Sequence, residues 1–186
     1  MVHPTIIPFR LIDNMMKRYK PYIYVIISVF IAIVLLFQLV LFRVVVDGDS
    51  MYPTLKDREL GISLRTLIAH KIQRFDIVII RLDKTDEYII KRVVGLPGDT
   101  VAIDKDGLYI NGAKVREPFL ETTYRQEYIE KTKQPFTFKL SPVKLGLDEY
   151  YVLGDNRPLS NDSRFLGPIK KNSIVAIGYY QLNGKK

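Results

Sequence analysis

An uncharged apolar run over residues 21–42, interrupted only by Ser28 and Gln38, limits this chain more than any other feature. Drawn as a helix it spans roughly 33 Å, about the thickness of a bilayer's hydrocarbon core, and so it predicts one transmembrane helix. A cleaved secretory leader has a shorter apolar region that ends in small residues. Here Leu41-Phe42-Arg43-Val44-Val45-Val46 follows, and the run is read as an uncleaved anchor. Arg10, Lys17, Arg18 and Lys20 precede it against Asp13 alone, and only Arg43 follows closely. That asymmetry predicts a cytoplasmic amino terminus at a cell membrane, with the bulk of the chain on the far side. The expected organisation is a cytoplasmic segment over 1–20, an anchor over 21–42 and an extracytoplasmic domain over 43–186.

Beyond the anchor the pattern changes to short β-rich runs separated by Gly, Pro and Asp. Strands are expected over 44–46, 76–81, 88–94, 100–103, 150–153 and 173–180. Asn111-Gly112, flanked by Leu108-Tyr109-Ile110 and Ala113-Lys114-Val115, predicts a hairpin with a type I′ turn. Residues 64–72 are long enough for two helical turns, and 121–133 carry too many β-branched and aromatic residues to decide between helix and loop. The expected fold class is an all-β domain of mainly antiparallel sheets behind one amino-terminal membrane helix. At 47% hydrophobic and 26% charged, the chain is too well mixed for disorder.

Composition also removes functions. The chain has no cysteine, which excludes thiolate catalysis, disulfides and thiolate metal sites. A formal charge of +8 raises the question of nucleic acid, but outside Lys17-Arg18-Tyr19-Lys20 the cations are interspersed with Asp and Glu. The pattern is that of a solvated basic surface facing anionic lipid, and no nucleic-acid partner is expected.

The most informative stretch after the anchor is Gly48-Asp49-Ser50-Met51-Tyr52-Pro53-Thr54-Leu55. A serine becomes a nucleophile only when a base takes its proton. Of the two histidines, His3 lies before the anchor, and His70 sits in Ala69-His70-Lys71-Ile72-Gln73-Arg74 with nothing nearby to orient it. Lysine serves as a base if burial lowers its pKa, and Lys91 sits in an apolar strand where it shares a face with Ile89 and Val93. Arg92 then needs a partner of its own. Taken singly, Ser50 also fits a turn or helix cap, and Lys91-Arg92 also fits the charged surface of an edge strand.

The combination is more specific. Ser50-Met51-x-Pro53-x-Leu55, then Lys91-Arg92-x-x-Gly95-x-Pro97-Gly98-Asp99, then Gly154-Asp155-Asn156-Arg157-x-x-Ser160-x-Asp162-Ser163-Arg164, resembles the ordered motif set of type I signal peptidases. The single anchor and short ectodomain look most like the Gram-positive bacterial members.

The resemblance implies a serine endopeptidase that removes signal peptides from exported preproteins at a small-x-small site. It implies Ser50 as nucleophile, Lys91 as general base, and Ser160 as the hydroxyl that orients the lysine amine. It pairs Asp162 with Arg92 and sets Arg164 in the same polar cluster. Some members place a serine that helps bind the oxyanion where this chain has Gly48, so the second donor is expected from backbone or water near that position. Shallow substrate pockets are expected near Asp47, Gly48, Asp49 and Met51. No cofactor or metal is implied, and the partners are preprotein signal peptides, membrane lipid and a secretion translocon. The alternatives are a membrane-anchored β-domain that only binds peptides, and a Ser-Lys protease dedicated to one substrate, such as a pilin or conjugation maturation enzyme.

Overall fold

The computed structural model describes residues 9–66, 71–83, 85–104 and 107–182, with the side chains of 9–17 excepted. His70 lies outside the described residues. The chain divides into two units at Val40 and Leu41.

The first unit is one helix, α1 (Phe9–Val40). Its stretch Arg18–Val40 has a mean hydropathy of 2.9 and is long and apolar enough to cross a membrane. Its large apolar side chains, Phe30 and Leu39 among them, are exposed. The helix stops two residues earlier than the apolar run. Leu41 and Phe42 open strand β1 (Leu41–Val45), where they pair in register with Leu64 and Ser63, so their backbone groups find partners in a sheet.

The second unit is built on antiparallel strands. β2 (Leu60–Arg65), β3 (Ile77–Arg81), β4 (Tyr88–Gly95), β5 (Thr100–Asp104), β6 (Gly107–Ile110) and β7 (Ala113–Val115) come first. Helix α2 (Thr123–Thr132) precedes β8 (Leu140–Lys144) and β9 (Glu149–Leu153). The short α3 (Ser163–Leu166), β10 (Ile169–Lys170) and β11 (Ile174–Gln181) complete it. A seven-stranded sheet runs β1-β2-β11-β3-β4-β9-β10, and a four-stranded sheet runs β7-β6-β5-β8. Between β6 and β7, Asn111 and Gly112 take positive φ of 53° and 81°, as a type I′ turn requires.

One expectation changes and one open segment is decided; residues 67–70 of the expected 64–72 helix lie outside the described residues. Residues 64 and 65 belong to β2, which bonds to both β1 and β11, so sheet pairing overrides a weak helical preference there. The undecided 121–133 segment contains α2, capped by Thr122, whose hydroxyl accepts from the Arg125 N–H at 3.3 Å, and ended by Lys133 in the left-handed region.

Three apolar clusters fill the domain. Val78, Val93, Val152 and Ile174 centre one, and Val94, Val101, Leu108 and Leu153 join the two sheets in a second. Val44, Val46, Met51, Leu55, Ile79 and Ile90 form the third, into which the Ser50 loop is rooted.

Candidate active site

The spacing Ser50-Met51-x-Pro53-x-Leu55 has a packing reason. Residues 49–55 coil into consecutive turns, with the Tyr52 N–H donating to the Asp49 carbonyl and the Leu55 N–H to the Met51 carbonyl, both at 3.0 Å. Met51 and Leu55, four apart, then point the same way, and both are buried. Burying each side chain contributes about 1.5–3 kcal/mol. The loop is thus pinned by its apolar residues, and Ser50 lines a groove of about 570 Å³ beside Asp47, Gly48, Asp49 and Lys91. Met51 was expected at the substrate pockets; it is 1% exposed and belongs to the core instead.

Strand β4 brings Lys91 to the same place. Its Nζ donates to Ser50 Oγ at 2.7 Å and to the Ile90 carbonyl at 2.8 Å. The side chain is 3% exposed. Burial pushes its pKa from the usual lysine range down to about 8, against the opposing pull of Asp162 and Asp155. At pH 7 about a tenth of such amines are neutral and able to accept a proton, a fraction that a free lysine never reaches at so low a pH.

Arg92 finds its partner, but not the expected one. Its Nε and Nη2 donate to the two carboxylate oxygens of Asp155 at 2.8 and 2.6 Å, and Nη1 donates to the Phe75 carbonyl at 2.8 Å. The guanidinium also lies 4.1 Å from the centroid of the Phe119 ring. The reason is register: Arg92 sits opposite Leu153 on β9, and Asp155 follows two residues later. Asp162 is already engaged by Arg164, whose Nε and Nη2 donate at 2.8 and 2.9 Å, and by the Gly154 N–H at 3.0 Å. Arg164 Nη2 further donates to the Arg157 carbonyl at 2.6 Å, tying this loop closed. Two separate buried ion pairs therefore stand where one shared cluster was expected.

Ser160 and Gly48 also depart from expectation. Ser160 is buried, yet its Oγ makes no hydrogen bond among the described residues, so the Ile90 carbonyl rather than Ser160 holds the Lys91 amine. The Gly48 N–H is taken by Asp57, whose carboxylate accepts it at 2.8 Å, and cannot also serve an oxyanion. The Ser50 N–H donates to no described residue.

Asp155 and Asn156 stand in the third motif with no role assigned from the sequence, and Thr54 carries no sequence signal of its own. Thr54 Oγ1 donates to Asp155 at 2.5 Å, linking the Ser50 loop to the Arg92 ion pair. The Asn156 N–H donates to the Ser50 carbonyl at 3.0 Å. Gly154 is required by close approach: a Cβ there would stand 2.2 Å from Ser160 Oγ and 2.4 Å from the Ser50 carbonyl oxygen. Overpacking of this sort costs about 1–3 kcal/mol. Gly154→Ala is therefore expected to lower the thermal midpoint and, by displacing Ser50, to cut kcat by about tenfold or more. Unchanged kinetics in that variant would show that the contact is not felt at the serine. Among the described residues, no group of His, Asp and Glu is arranged to hold a metal ion.

Comparison with known proteins gives the family. The family model described as signal peptidase, peptidase S26, matches residues 19–180. A signal peptidase I of Bacillus amyloliquefaciens is 41% identical over 152 residues, covering 80% of this chain and 78% of that protein. Signal peptidase I S of Bacillus subtilis is 43% identical over 133 residues, covering 70% of this chain and 71% of its own length. The crystal structure of a signal peptidase I from Enterococcus faecalis superposes with a TM-score of 0.52 at 33% identity, covering 58% of this chain and 97% of that one. With a matching family model over most of its length and these relatives, the chain belongs to the signal peptidases of family S26, serine endopeptidases that remove signal peptides.

Proposed function

We propose that Ser50 is the nucleophile and Lys91 the general base of this signal peptidase. The observation that carries the reading is the 2.7 Å hydrogen bond from Lys91 Nζ to Ser50 Oγ, made by an amine that is 3% exposed. In acylation the neutral amine takes the Ser50 proton while Oγ bonds to the scissile carbonyl carbon and its π pair moves to oxygen. The Ser50 N–H donates to that oxyanion. As the C–N bond breaks, Lys91 passes its proton to the departing amine. Lys91 then takes a proton from water, whose oxygen attacks the ester, and returns it to Ser50 when the free carboxyl terminus leaves.

The substrate is a preprotein bearing a small-x-small site. The groove at Ser50 is walled by Phe42, Val44 and Ile79, which suits an extended segment with small side chains entering beside the serine. We further propose that α1 anchors the enzyme in the cell membrane with its basic end cytoplasmic. The domain from residue 43 onward then acts on the outer side, against lipid and beside a translocon that delivers the preprotein.

The test places the full chain in membranes with a preprotein carrying an Ala-x-Ala site. Cleavage is expected with the parent enzyme and with neither Ser50→Ala nor Lys91→Ala. Survival of cleavage in Lys91→Ala would sink the lysine-base assignment. Protease added outside spheroplasts should digest the domain, and full protection would reverse the topology. Cleavage of several unrelated preproteins separates a general enzyme from a dedicated one.

A further inference from the structure

We propose that Tyr124, carried on α2, is a positioning residue that aims the oxyanion donor at Ser50 by fixing the side-chain amide of Asn156. The inference rests on the assignment of Ser50 as nucleophile. Its starting point is the peptide unit between Asp49 and Ser50. A peptide is planar and trans, so its C=O and N–H point in opposite directions, and whatever holds the Asp49 carbonyl also sets the direction of the Ser50 N–H.

The Asp49 carbonyl is held twice, by the Tyr52 N–H of its own turn at 3.0 Å and by Asn156 Nδ2 at 3.0 Å. The Asn156 backbone N–H holds the next carbonyl, that of Ser50, at 3.0 Å. One residue, 1% exposed, thus grips the chain on both sides of the Ser50 N–Cα bond. The amide can do this in one orientation only. A carbonyl accepts and never donates, so Nδ2 must face Asp49 and Oδ1 must face the other way. There Oδ1 accepts from the Tyr124 hydroxyl at 3.2 Å.

Tyr124 is itself held by rings. It meets Tyr52 edge-on with centroids 4.8 Å apart and Phe136 edge-on at 6.0 Å. Tyr52 belongs to the nucleophile loop and Phe136 is buried, so the hydroxyl is registered to the loop it serves. The path runs from Tyr124 through Asn156 and Asp49 to the Ser50 N–H. Because the Tyr52 bond persists without it, the contribution is graded.

Tyr124→Phe removes the hydroxyl and keeps the ring contacts. Loss of one such hydrogen bond is expected to lower kcat about two- to tenfold with KM unchanged. A peptidyl aldehyde ending in alanine, which forms a tetrahedral adduct with the serine, should weaken by the same factor. The matching peptidyl alcohol, which forms none, should bind as before. In an Asn156→Ala background, Tyr124→Phe should add nothing further. The inference is overturned if Tyr124→Phe leaves kcat and aldehyde affinity unchanged, if aldehyde and alcohol weaken equally, or if the loss persists without Asn156. Ser50→Ala run alongside separates the two assignments. If it still cleaves, the nucleophile assignment falls and this one with it. If it is inactive beside an unaffected Tyr124→Phe, only the positioning role fails.

Discussion

Signal-peptide cleavage, measured as kcat/KM, is expected to rise about tenfold per pH unit on the acid side and to level off above about pH 8, where Lys91 becomes neutral. Stability should follow the same group. Burial gives Lys91 a lower pKa in the folded chain, about 8, than the 10.5 of a free lysine. Between those values the unfolded chain holds a proton that the folded chain has released, so stability increases with pH through this window. Below about pH 8 both states are protonated and the burial penalty is complete, about 3 kcal/mol for a shift of this size. Lys91→Met, which keeps the length and removes the charge, should abolish cleavage and yet melt at a higher temperature than the parent at pH 7. The gap should close as the pH approaches 10.5. An acid limb centred near pH 6.5, the ordinary range of histidine, would instead assign the base to His70.

Asp155→Asn is expected to destabilise the domain by about 3–5 kcal/mol, because it strips the partner from a buried guanidinium. Asp155 is fully buried and is the acceptor for two Arg92 nitrogens and for Thr54 Oγ1. The guanidinium, with 10% of its side chain exposed, has little water to fall back on. Thr54 belongs to the nucleophile loop, so kcat should fall with stability. Unfolding followed by circular dichroism in denaturant gives the free energies, and double-mutant cycles identify the pair. Arg92 and Asp155 should couple strongly. Arg92 and Asp162 should add to within about 0.5 kcal/mol. Strong coupling of Arg92 with Asp162 would reinstate the pairing implied by the motif alone.

That contrast marks the boundary of what the sequence discloses. The hairpin at Asn111-Gly112 is legible because positive φ at both turn residues is a local demand met by local chemistry. Strands β3, β4, β5, β9 and β11 are legible from runs of β-branched and aromatic residues. β8 is not, since it contains Pro142, which a sheet accepts only at an edge, and β8 is the edge of the four-stranded sheet. α2 buries none of its residues and so shows no apolar stripe; it is fixed by its caps and by Tyr124 and Tyr128 against Phe136. At the site, the residue types were readable from the three motifs, but their pairing was not. Which aspartate meets which arginine depends on the alignment of β4 with β9, a property of two segments sixty residues apart rather than of either one.

The grip on the nucleophile loop has a consequence for timing. Thr54 is held by Asp155 and Asp49 by Asn156, contacts that span 101 and 107 positions of the chain. Ribosomes add about 5–20 residues per second, so roughly 5–20 s separate the synthesis of Ser50 from that of the residues that anchor its loop. During that interval the serine is present without the framework that aims it. On the proposed assignment the protease is thereby completed late, when the last third of the chain closes over the first, and a chain interrupted before residue 154 carries a serine and a lysine but no assembled site.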